Sequence, residues 1–477
     1  MRSELLTRLC RFQWSTQRSS WVVDNCEIPR FGKACGQDVL SPINPAMLTR
    51  TSIEEKECYH SPKRRALGDS APVPVDANAV SPPRSPERHN VTSPTRVTRC
   101  EPWKISESDF PHEGSRHEQL SFLVRYAQLA PSTYNSQPWM FRIDERQNII
   151  DLLSDASRSL PVVDPHDRQL LIACGAAFYQ LRLAATHFGF FYSYELLPDS
   201  ESNVVARLRL SIHPQHNSFG SSSLRRPMEE EKMFNAITHR RSNNEAYADK
   251  PVPEDFLTSI KTSVEEEPGV WLHWIKGSSQ KTRVADLTAE SMRKQVEYQP
   301  YREELFKWIR PNYNSSTMDG LPCGSVGISS INYWMGNYQR SNNWAKNAAE
   351  KKHLQTRTAP VLAVLGTRVD SDREWIIVGQ SLVKALLSCT MYGLSVSQHN
   401  QALELPQLRS QLQEILGSAT VFNHVVGLPQ VILRVGYSRE GEKELRPSPR
   451  RCTDAVMMVE PVVNSTVTSP TGSPHSQ

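Results

Sequence analysis

Apolar residues recur at helical spacing in four stretches of the chain, and strand-like runs lie between them. The helical spacing predicts helices over 118–130, 168–190, 254–264 and 375–395. Strands are predicted for six runs rich in β-branched and aromatic residues, WMFRID, NIIDLLS, VVARLRLSI, VWLHWI, APVLAVLGT and PQVILRVGY. The pattern therefore predicts a globular region that mixes helices and strands.

The two ends of the chain show neither the helical nor the strand periodicity of apolar residues. Residues 61–96 are rich in Pro, Ser and Arg, and the closing NSTVTSPTGSPHSQ has the same character. Segments of this composition bury too little apolar surface to form a core. We therefore expect an extension over 1–112 and a tail over 459–477, with the folded region between them.

Charge and cysteine content narrow the class of protein. The chain has 55 Lys and Arg against 51 Asp and Glu, a balance that gives no reason to expect a nucleic-acid partner. No apolar run approaches the ~20 residues of a membrane-spanning helix. Nine scattered cysteines form no C-x-x-C pair and no zinc spacing, which predicts reduced thiols, no metal site and a cytoplasmic protein. The Arg- and Ser-rich N-terminus leaves a transit peptide as an alternative.

The folded region contains a hidden duplication. Gly175 and Gly189 lie fourteen residues apart in one apolar helix, and Gly379 and Gly393 have the same separation in another. A helix, a turn and a tryptophan-led strand precede each of these helices. We therefore predict two repeats, at 113–212 and 232–458, joined by a polar linker at 213–231.

The two repeats differ in complementary ways. The second opens with ITHRRSNNEAY, whose paired arginines and serine at a predicted helix start suit a phosphate. The first has instead the polar turn Pro131–Gln137, which the second replaces with EEEPG. One repeat keeps an anion-binding end and the other keeps a turn full of hydrogen-bonding groups, so together they predict one composite site.

These motifs resemble those of the nitroreductase family of flavin enzymes. Arg240-Arg241-Ser242 resembles the family's Arg-Arg-Ser, and Pro131 to Trp139 resembles its Pro-Ser-x-x-Asn-x-Gln-Pro-Trp. The closing 429–451 is similar to its final strand and basic segment. The match is closest to the branch in which two unequal repeats of one chain mimic the usual homodimer. The resemblance implies an α+β fold with a mixed or antiparallel sheet in each repeat, and a single FMN between the repeats.

The resemblance also implies roles for particular residues. Those expected at the FMN phosphate are Arg240, Arg241, Ser242, Arg450 and Arg451. Those expected to reach or shape the flavin ring site are Pro131, Ser132, Thr133, Asn135 and Gln137. The chain departs from the family at Asn244, where a basic residue is usual, and Gly320 and Gly324 match only loosely the loop that reaches the flavin N5 in relatives.

The implied activity is hydride transfer from NADH or NADPH, through FMN, to a nitroaromatic or quinone acceptor. The flavin carries this chemistry, so no catalytic side chain is predicted. An aromatic-rich segment over 301–354 is a predicted lid. A lid that stays closed would instead make the protein a flavin store without turnover. Because the two halves of the site lie in one chain, we expect a monomer with an internal pseudo-dimer.

Overall fold

The computed structural model describes residues 12–15, 20–23, 101–198, 202–212, 228–313, 316–326, 328, 342–417, 421–422, 425–441 and 445–458. The chain divides into two units, Met1–Thr92 and Ser93–Gln477. The described residues of the first unit form an antiparallel hairpin of β1 (Phe12–Ser15) and β2 (Ser20–Val23). The predicted tail and most of the predicted extension and linker lie outside the described residues.

The first repeat of the second unit is an antiparallel sheet packed on helices. Its elements are α1 (Arg116–Ala127), β3 (Trp139–Asp144), β4 (Ile149–Ser154), α2 (Arg168–His187), β5 (Phe191–Leu196) and β6 (Val204–Ser211). The strand order is β3-β4-β6-β5. A capping box between Ser115 and Glu118 begins α1 by satisfying N–H groups that the helix itself leaves unpaired.

The second repeat has the same arrangement with longer connections. Its elements are α3 (Met228–Ala236), α4 (Glu254–Val264), β7 (Val270–Ile275), α5 (Ser278–Glu297), α6 (Gln299–Lys307), β8 (Ile309–Arg310), β9 (Leu321–Pro322), α7 (Asn342–Arg357), β10 (Val361–Thr367), α8 (Asp372–Met391), β11 (Ser395–Gln398), α9 (Pro406–Leu416), β12 (Val421–Phe422), β13 (Val425–Val426) and β14 (Leu428–Gly436). Its main sheet is antiparallel in the order β7-β10-β14-β11. With β7, β10, β11 and β14 matched to β3, β4, β5 and β6, the two sheets have one topology. The predicted α+β fold class is confirmed.

An insertion between β7 and β10 distinguishes the second repeat. The first repeat joins β3 to β4 by a short turn, whereas the second places α5, α6 and α7 there. The predicted lid at 301–354 lies within this insertion, and its residues 314–315, 327 and 329–341 are outside the described residues. The insertion packs on the first repeat, where Glu304 accepts hydrogen bonds of 2.9 Å from the N–H groups of Val162 and Val163.

The folded region begins earlier than the expected boundary at residue 112. Phe110 is buried and its ring stacks on Phe188 with centroids 4.4 Å apart. Trp103 and Ile105 also pack against the core of the first repeat. Isolated aromatic residues in a polar stretch give no periodic signal, so the pattern assigned 101–112 to the extension.

The described cysteines do not all carry free thiols. Cys174, Cys323 and Cys389 are free and buried, but Cys452 is disulfide-bonded, contrary to the expectation of reduced thiols throughout. Among the described residues, no helix is both long enough and apolar enough to cross a membrane.

The two repeats meet where α2 crosses α8, and a glycine of each helix makes the close approach possible. A β-carbon on Gly175 would lie 2.1 Å from the carbonyl oxygen of Ile376, and one on Gly379 would lie 2.1 Å from that of Ile172. Each glycine therefore faces the residue three positions before the other glycine. Reciprocal contacts of this kind are what a two-fold relation between two helices produces.

Replacing either glycine by alanine should weaken this crossing. We expect Gly175→Ala and Gly379→Ala each to lower the free energy of unfolding by about 1–3 kcal/mol, because a backbone carbonyl blocks the added methyl group. This cost exceeds the ~1 kcal/mol that alanine gains in helix propensity. Gly324→Ala is the control, because its β-carbon would meet no atom within 4 Å. Denaturant unfolding measures all three, and a stability equal to wild type for both helix variants would contradict the crossing geometry.

Candidate functional site

The predicted polar turn between α1 and β3 is strained. Tyr134, Asn135 and Gln137 have φ angles of 51°, 53° and 52°, in the left-handed region that residues with a β-carbon rarely adopt. The Ser132 hydroxyl accepts a 2.9 Å hydrogen bond from the Gln137 N–H and so closes the turn. Pro131 is buried at its start. Strain of this kind persists only where surrounding contacts hold it, and it concentrates at functional sites.

Asn135 joins the turn to two segments of the second repeat. Its Nδ2 donates to the carbonyl oxygens of Gly320 at 3.1 Å and Pro449 at 3.0 Å, and its Oδ1 accepts from Arg450 at 2.7 Å. The Gly320 N–H donates to the Asn135 carbonyl at 3.2 Å. These groups of Asn135 and Gly320 bind protein, and the contact of Asn135 with a flavin stays a prediction.

Gln137 and Arg451 hold the C-terminal segment against the first repeat. The fully buried Gln137 accepts a 2.9 Å hydrogen bond from the Arg451 N–H and donates to the Met318 carbonyl at 3.0 Å. The Arg451 side chain donates to the Gln137 carbonyl at 3.3 Å and lies 3.8 Å from Asp155. These contacts hold the C-terminal segment in place, and the position of Arg451 at a phosphate stays a prediction.

Arg450 is buried beneath the turn and is almost fully satisfied. Its NH1 donates to Asn135 Oδ1 at 2.7 Å and to the Pro449 carbonyl at 2.9 Å. Its NH2 donates to the carbonyls of Leu129 and Ala130, just beyond the end of α1, at 3.1 and 2.9 Å. Only its Nε lacks a partner.

Arg240 and Arg241 follow the C-terminal end of α3, so the predicted helix start is wrong. Helix N–H groups therefore do not contribute there, and the side chains alone supply the positive charge. Arg240 NH2 donates to the Leu129 carbonyl at 3.3 Å, an acceptor it shares with Arg450, and its Nε has no partner. Arg241 donates to the Thr238 carbonyl at 2.8 Å. Ser242 is exposed and pairs through its backbone with Val396.

Arg240, Arg241 and Arg450 form an arginine cluster, in which Arg240 and Arg450 are buried. Burial, together with the charge of Arg241, lowers the pKa of Arg240 to about 10. Burial and the charges of both neighbours hold the pKa of Arg450 well below its usual value. Among the described residues no carboxylate forms an ion pair with Arg240 or Arg450. Buried charges are ordinarily paired, so this cluster suits an anion such as a phosphate monoester.

A second basic group, formed by Lys352, His399 and Arg434, was not predicted from the sequence. His399 Nε2 lies 3.3 Å from Lys352 Nζ and 3.4 Å from Arg434 NH1, and its Nδ1 lies 2.9 Å from the Thr356 hydroxyl. Lysine and arginine only donate, so Nε2 must accept and the imidazole must be neutral. Desolvation and the two cations accordingly hold the pKa of His399 well below 6.5.

Among the described residues, no carboxylate forms an ion pair with Lys352 or Arg434, although Glu404 and Glu245 are near enough to act on their charges. Burial and the charge of Arg434 lower the pKa of Lys352 to about 8, and Arg434 Nε has no partner. The signal in the sequence was Arg434 itself, a charged residue inside the apolar strand VILRVG. Lys352 and His399 gave no signal, because only folding brings α7 and the end of β11 to that strand.

Both basic groups border the junction of the two repeats. The segment 240–247 runs from the arginine cluster to Arg434, which donates to the Glu245 carbonyl at 2.7 Å and stacks on Tyr247 at 4.3 Å. From the other side, Thr133 of the polar turn donates to Gln169 at 2.7 Å, and Gln169 donates to Glu404 at 3.4 Å. The predicted turn and predicted arginines are therefore brought together, as a composite site requires.

Comparison with known proteins gives relatives that align over most of their own length. No family model matches the chain. A Mycobacterium tuberculosis protein provisionally named NAD(P)H nitroreductase Rv3131 is 24% identical over 72% of this chain and 90% of its own length. PigM of Serratia sp., also provisionally named an NAD(P)H nitroreductase, is 22% identical over 71% of this chain and 93% of its own. The crystal structure of the FMN and NADPH-dependent nitroreductase NfnB from sphigopyxis sp. strain HMH is 18% identical, covers 48% of this chain and 99% of NfnB, and has a TM-score of 0.33.

The alignments cover 90% and 93% of the length of these two relatives. The motifs that resemble the nitroreductases, the polar turn and the paired arginines, meet at one junction in the folded chain. The chain is therefore similar, in sequence and in these motifs, to proteins named as NAD(P)H nitroreductases.

Proposed function

We propose that this protein binds one FMN at the junction of its repeats and is an oxidoreductase that passes hydride from NADH or NADPH to a nitroaromatic or quinone acceptor. The observation that carries the proposal is the pair Arg240 and Arg450, whose buried Nε atoms have no partner and which form no ion pair with a carboxylate among the described residues, an arrangement that suits the FMN phosphate. The relatives named as NAD(P)H nitroreductases support a nicotinamide donor.

The residues divide between the two ends of such a ligand. At the phosphate end, Arg240 makes one hydrogen bond to protein among those described and keeps its other donors, whereas Arg450 keeps only Nε. At the ring end, Ser132 and Thr133 are half-buried in the turn, and we retain them as flavin contacts. Lys352 and Arg434 would stabilise negative charge on an electron-rich edge of the ligand. Bound FMN would supply the hydride chemistry, so no side chain need act as a nucleophile.

We expect one flavin per chain because the second repeat has the acidic segment EEEPG (265–269) at the position of the polar turn. Glu265 there accepts hydrogen bonds from Lys261 and from the Leu272 N–H. Glu266 and Glu267 lie 3.2 and 3.4 Å from Lys384. A second phosphate or flavin edge would meet carboxylates already engaged in ion pairs, so the equivalent position favours protein contacts over a ligand.

Flavin storage without turnover is the second candidate, and the packing of the insertion favours it. Asp319 of the insertion is buried and lies 3.0 Å from Arg158 of the first repeat and 2.7 Å from Arg310. Hydrogen bonds from Thr317, Arg310 and Arg158 hold the pKa of Asp319 below its usual value against the opposing effect of burial. An insertion held this firmly over the turn would restrict the access of a nicotinamide to the flavin.

Turnover separates the two candidates. We expect the purified protein to show a flavin absorbance spectrum and, with NADPH or NADH plus a quinone, to consume nicotinamide over many cycles, because each hydride taken up by the cofactor can pass to the acceptor. Steady-state absorbance at the nicotinamide band measures this, and apoprotein is the control. A tightly held flavin that no nicotinamide reduces would support storage, and a protein that takes up no FMN would exclude both.

Stoichiometry and mass test the composite site. We expect one FMN per chain on a monomer in dilute solution, because each half of the site occurs once and both halves share a chain. Joining them also gives an effective concentration of ~mM, so a second chain is not needed. Flavin absorbance against protein mass, with light scattering on the same sample, provides the measurement. Two flavins per chain, or a dimer that loses FMN on dilution, would contradict a site built within one chain.

Arg240→Met should separate ligand binding from stability. Loss of a charge-assisted hydrogen bond should weaken FMN binding by about 1.5–3 kcal/mol. The apoprotein should be as stable as wild type or more so, because the substitution removes an uncompensated buried charge while keeping much of the side-chain volume. Fluorescence titration and thermal unfolding measure the two effects, with the exposed Arg283→Met as control. An Arg240→Met protein that is destabilised yet binds FMN normally would assign Arg240 a structural role only.

A further inference from the structure

Trp103 lies in a segment that precedes the first repeat and is anchored at both ends. Pro102 before it and Phe110 after it are buried, and Phe110 stacks on Phe188. The Trp103 indole Nε1 donates a 2.7 Å hydrogen bond to the carbonyl of Ser448 in the C-terminal segment. The position of the indole is therefore determined by the buried residues on either side of it in the sequence and by its hydrogen bond to the C-terminal segment.

The same indole contacts two members of the arginine cluster. The Cζ atoms of Arg241 and Arg450 lie 4.5 Å and 5.0 Å from the centre of the Trp103 ring. Arg241 comes from the segment after α3 and Arg450 from the C-terminal segment, which are far apart in sequence. Trp103 is thus a common contact of guanidinium groups contributed by two distant segments.

The contact of Trp103 with the two arginines offsets part of the electrostatic repulsion within the arginine cluster. Like charges repel, and Arg240 and Arg450 have no described carboxylate to offset that repulsion. The electron-rich face of an indole attracts cations, and tryptophan is the aromatic residue that does so best. Contact with an aromatic face does not occupy guanidinium N–H groups, so it is compatible with the protein hydrogen bonds of Arg450 and leaves its unpartnered Nε as a donor for a phosphate.

We propose that Trp103 is a positioning residue for the cofactor phosphate, holding Arg241 and Arg450 in place and slowing release of FMN. The inference rests on the proposed function, because it takes FMN as the ligand. The inference also predicts a difference between two ligands. Because Trp103 acts through the arginines on the phosphate, it should affect binding of FMN but not of riboflavin, which has the same ring and no phosphate. Residues 101–112 thereby become part of the binding site.

The test uses the full-length chain with Trp103→Ala and Trp103→Phe. Release of FMN and of riboflavin is followed by the recovery of flavin fluorescence after dilution. We expect Trp103→Ala to release FMN about tenfold faster, the effect of losing two cation–π contacts, with riboflavin release unchanged. Trp103→Phe keeps an aromatic face and should lie between alanine and wild type. Trp274→Ala is the matched control, because that half-buried indole also donates to a backbone carbonyl, that of Leu257 at 3.1 Å.

The possible results are distinguishable. Wild-type protein that binds no FMN would overturn the proposed function and this inference together. FMN release at the wild-type rate from Trp103→Ala would overturn the inference alone. Equal acceleration of FMN and riboflavin would also overturn it, because a general loosening of the fold does not discriminate the phosphate. If the alanine variant does not fold, Trp103→Phe decides: FMN release faster than wild type with riboflavin unchanged supports the inference, and equal changes for both ligands refute it.

Discussion

The close crossing of α2 and α8 is the contact on which the candidate site depends. Each helix offers a glycine where the backbone of the other passes, so two backbones meet where side chains would otherwise hold them apart. This contact fixes the relation of the two repeats. The polar turn precedes α2 in the first repeat, and the paired arginines precede α8 in the second. Without the crossing these segments would have no common surface, and no composite site would form.

The site concentrates positive charge where the protein offers little to balance it. The arginine cluster and the Lys352–His399–Arg434 group both leave buried guanidinium N–H groups without partners. Such groups reduce the stability of a protein that lacks its ligand, because burial removes water and no carboxylate replaces it. A bound anion would reverse the effect and stabilise the fold by mass action. Stability and cofactor occupancy are therefore expected to be strongly linked in this protein.

The polar turn differs in role from a simple row of ligand contacts. Three of its residues adopt left-handed backbone angles, and nearly every polar group of Asn135 and Gln137 binds protein. These bonds tie the turn to the insertion and to the C-terminal segment. The turn that resembles the nitroreductase motif therefore also positions Arg450, through the hydrogen bond from Arg450 to Asn135. The face of the Trp103 indole contacts the guanidinium group of the same arginine.

Local pattern was sufficient for much of the fold. Residues 139–144 and 270–275 are strands with the predicted bounds, and 254–264 is a helix with the predicted bounds, because each alternates or repeats its apolar positions at the period of its structure. The equal spacing of glycines also indicated the duplication, since glycine tolerates a close helix approach that no other residue permits.

What the sequence determined by itself is the set of elements and the chemical character of the motifs: a turn of donors and acceptors in one repeat, and paired arginines in the other. Only the tertiary structure decided which of these groups remain free for a ligand. It assigned Asn135, Gln137 and Arg451 to protein contacts, placed the arginines after a helix instead of at its start, and added Trp103, Lys352, His399 and Arg434. The reason is physical: hydrogen-bond partners, burial and neighbouring charges come from residues distant in the chain, and no local pattern records them.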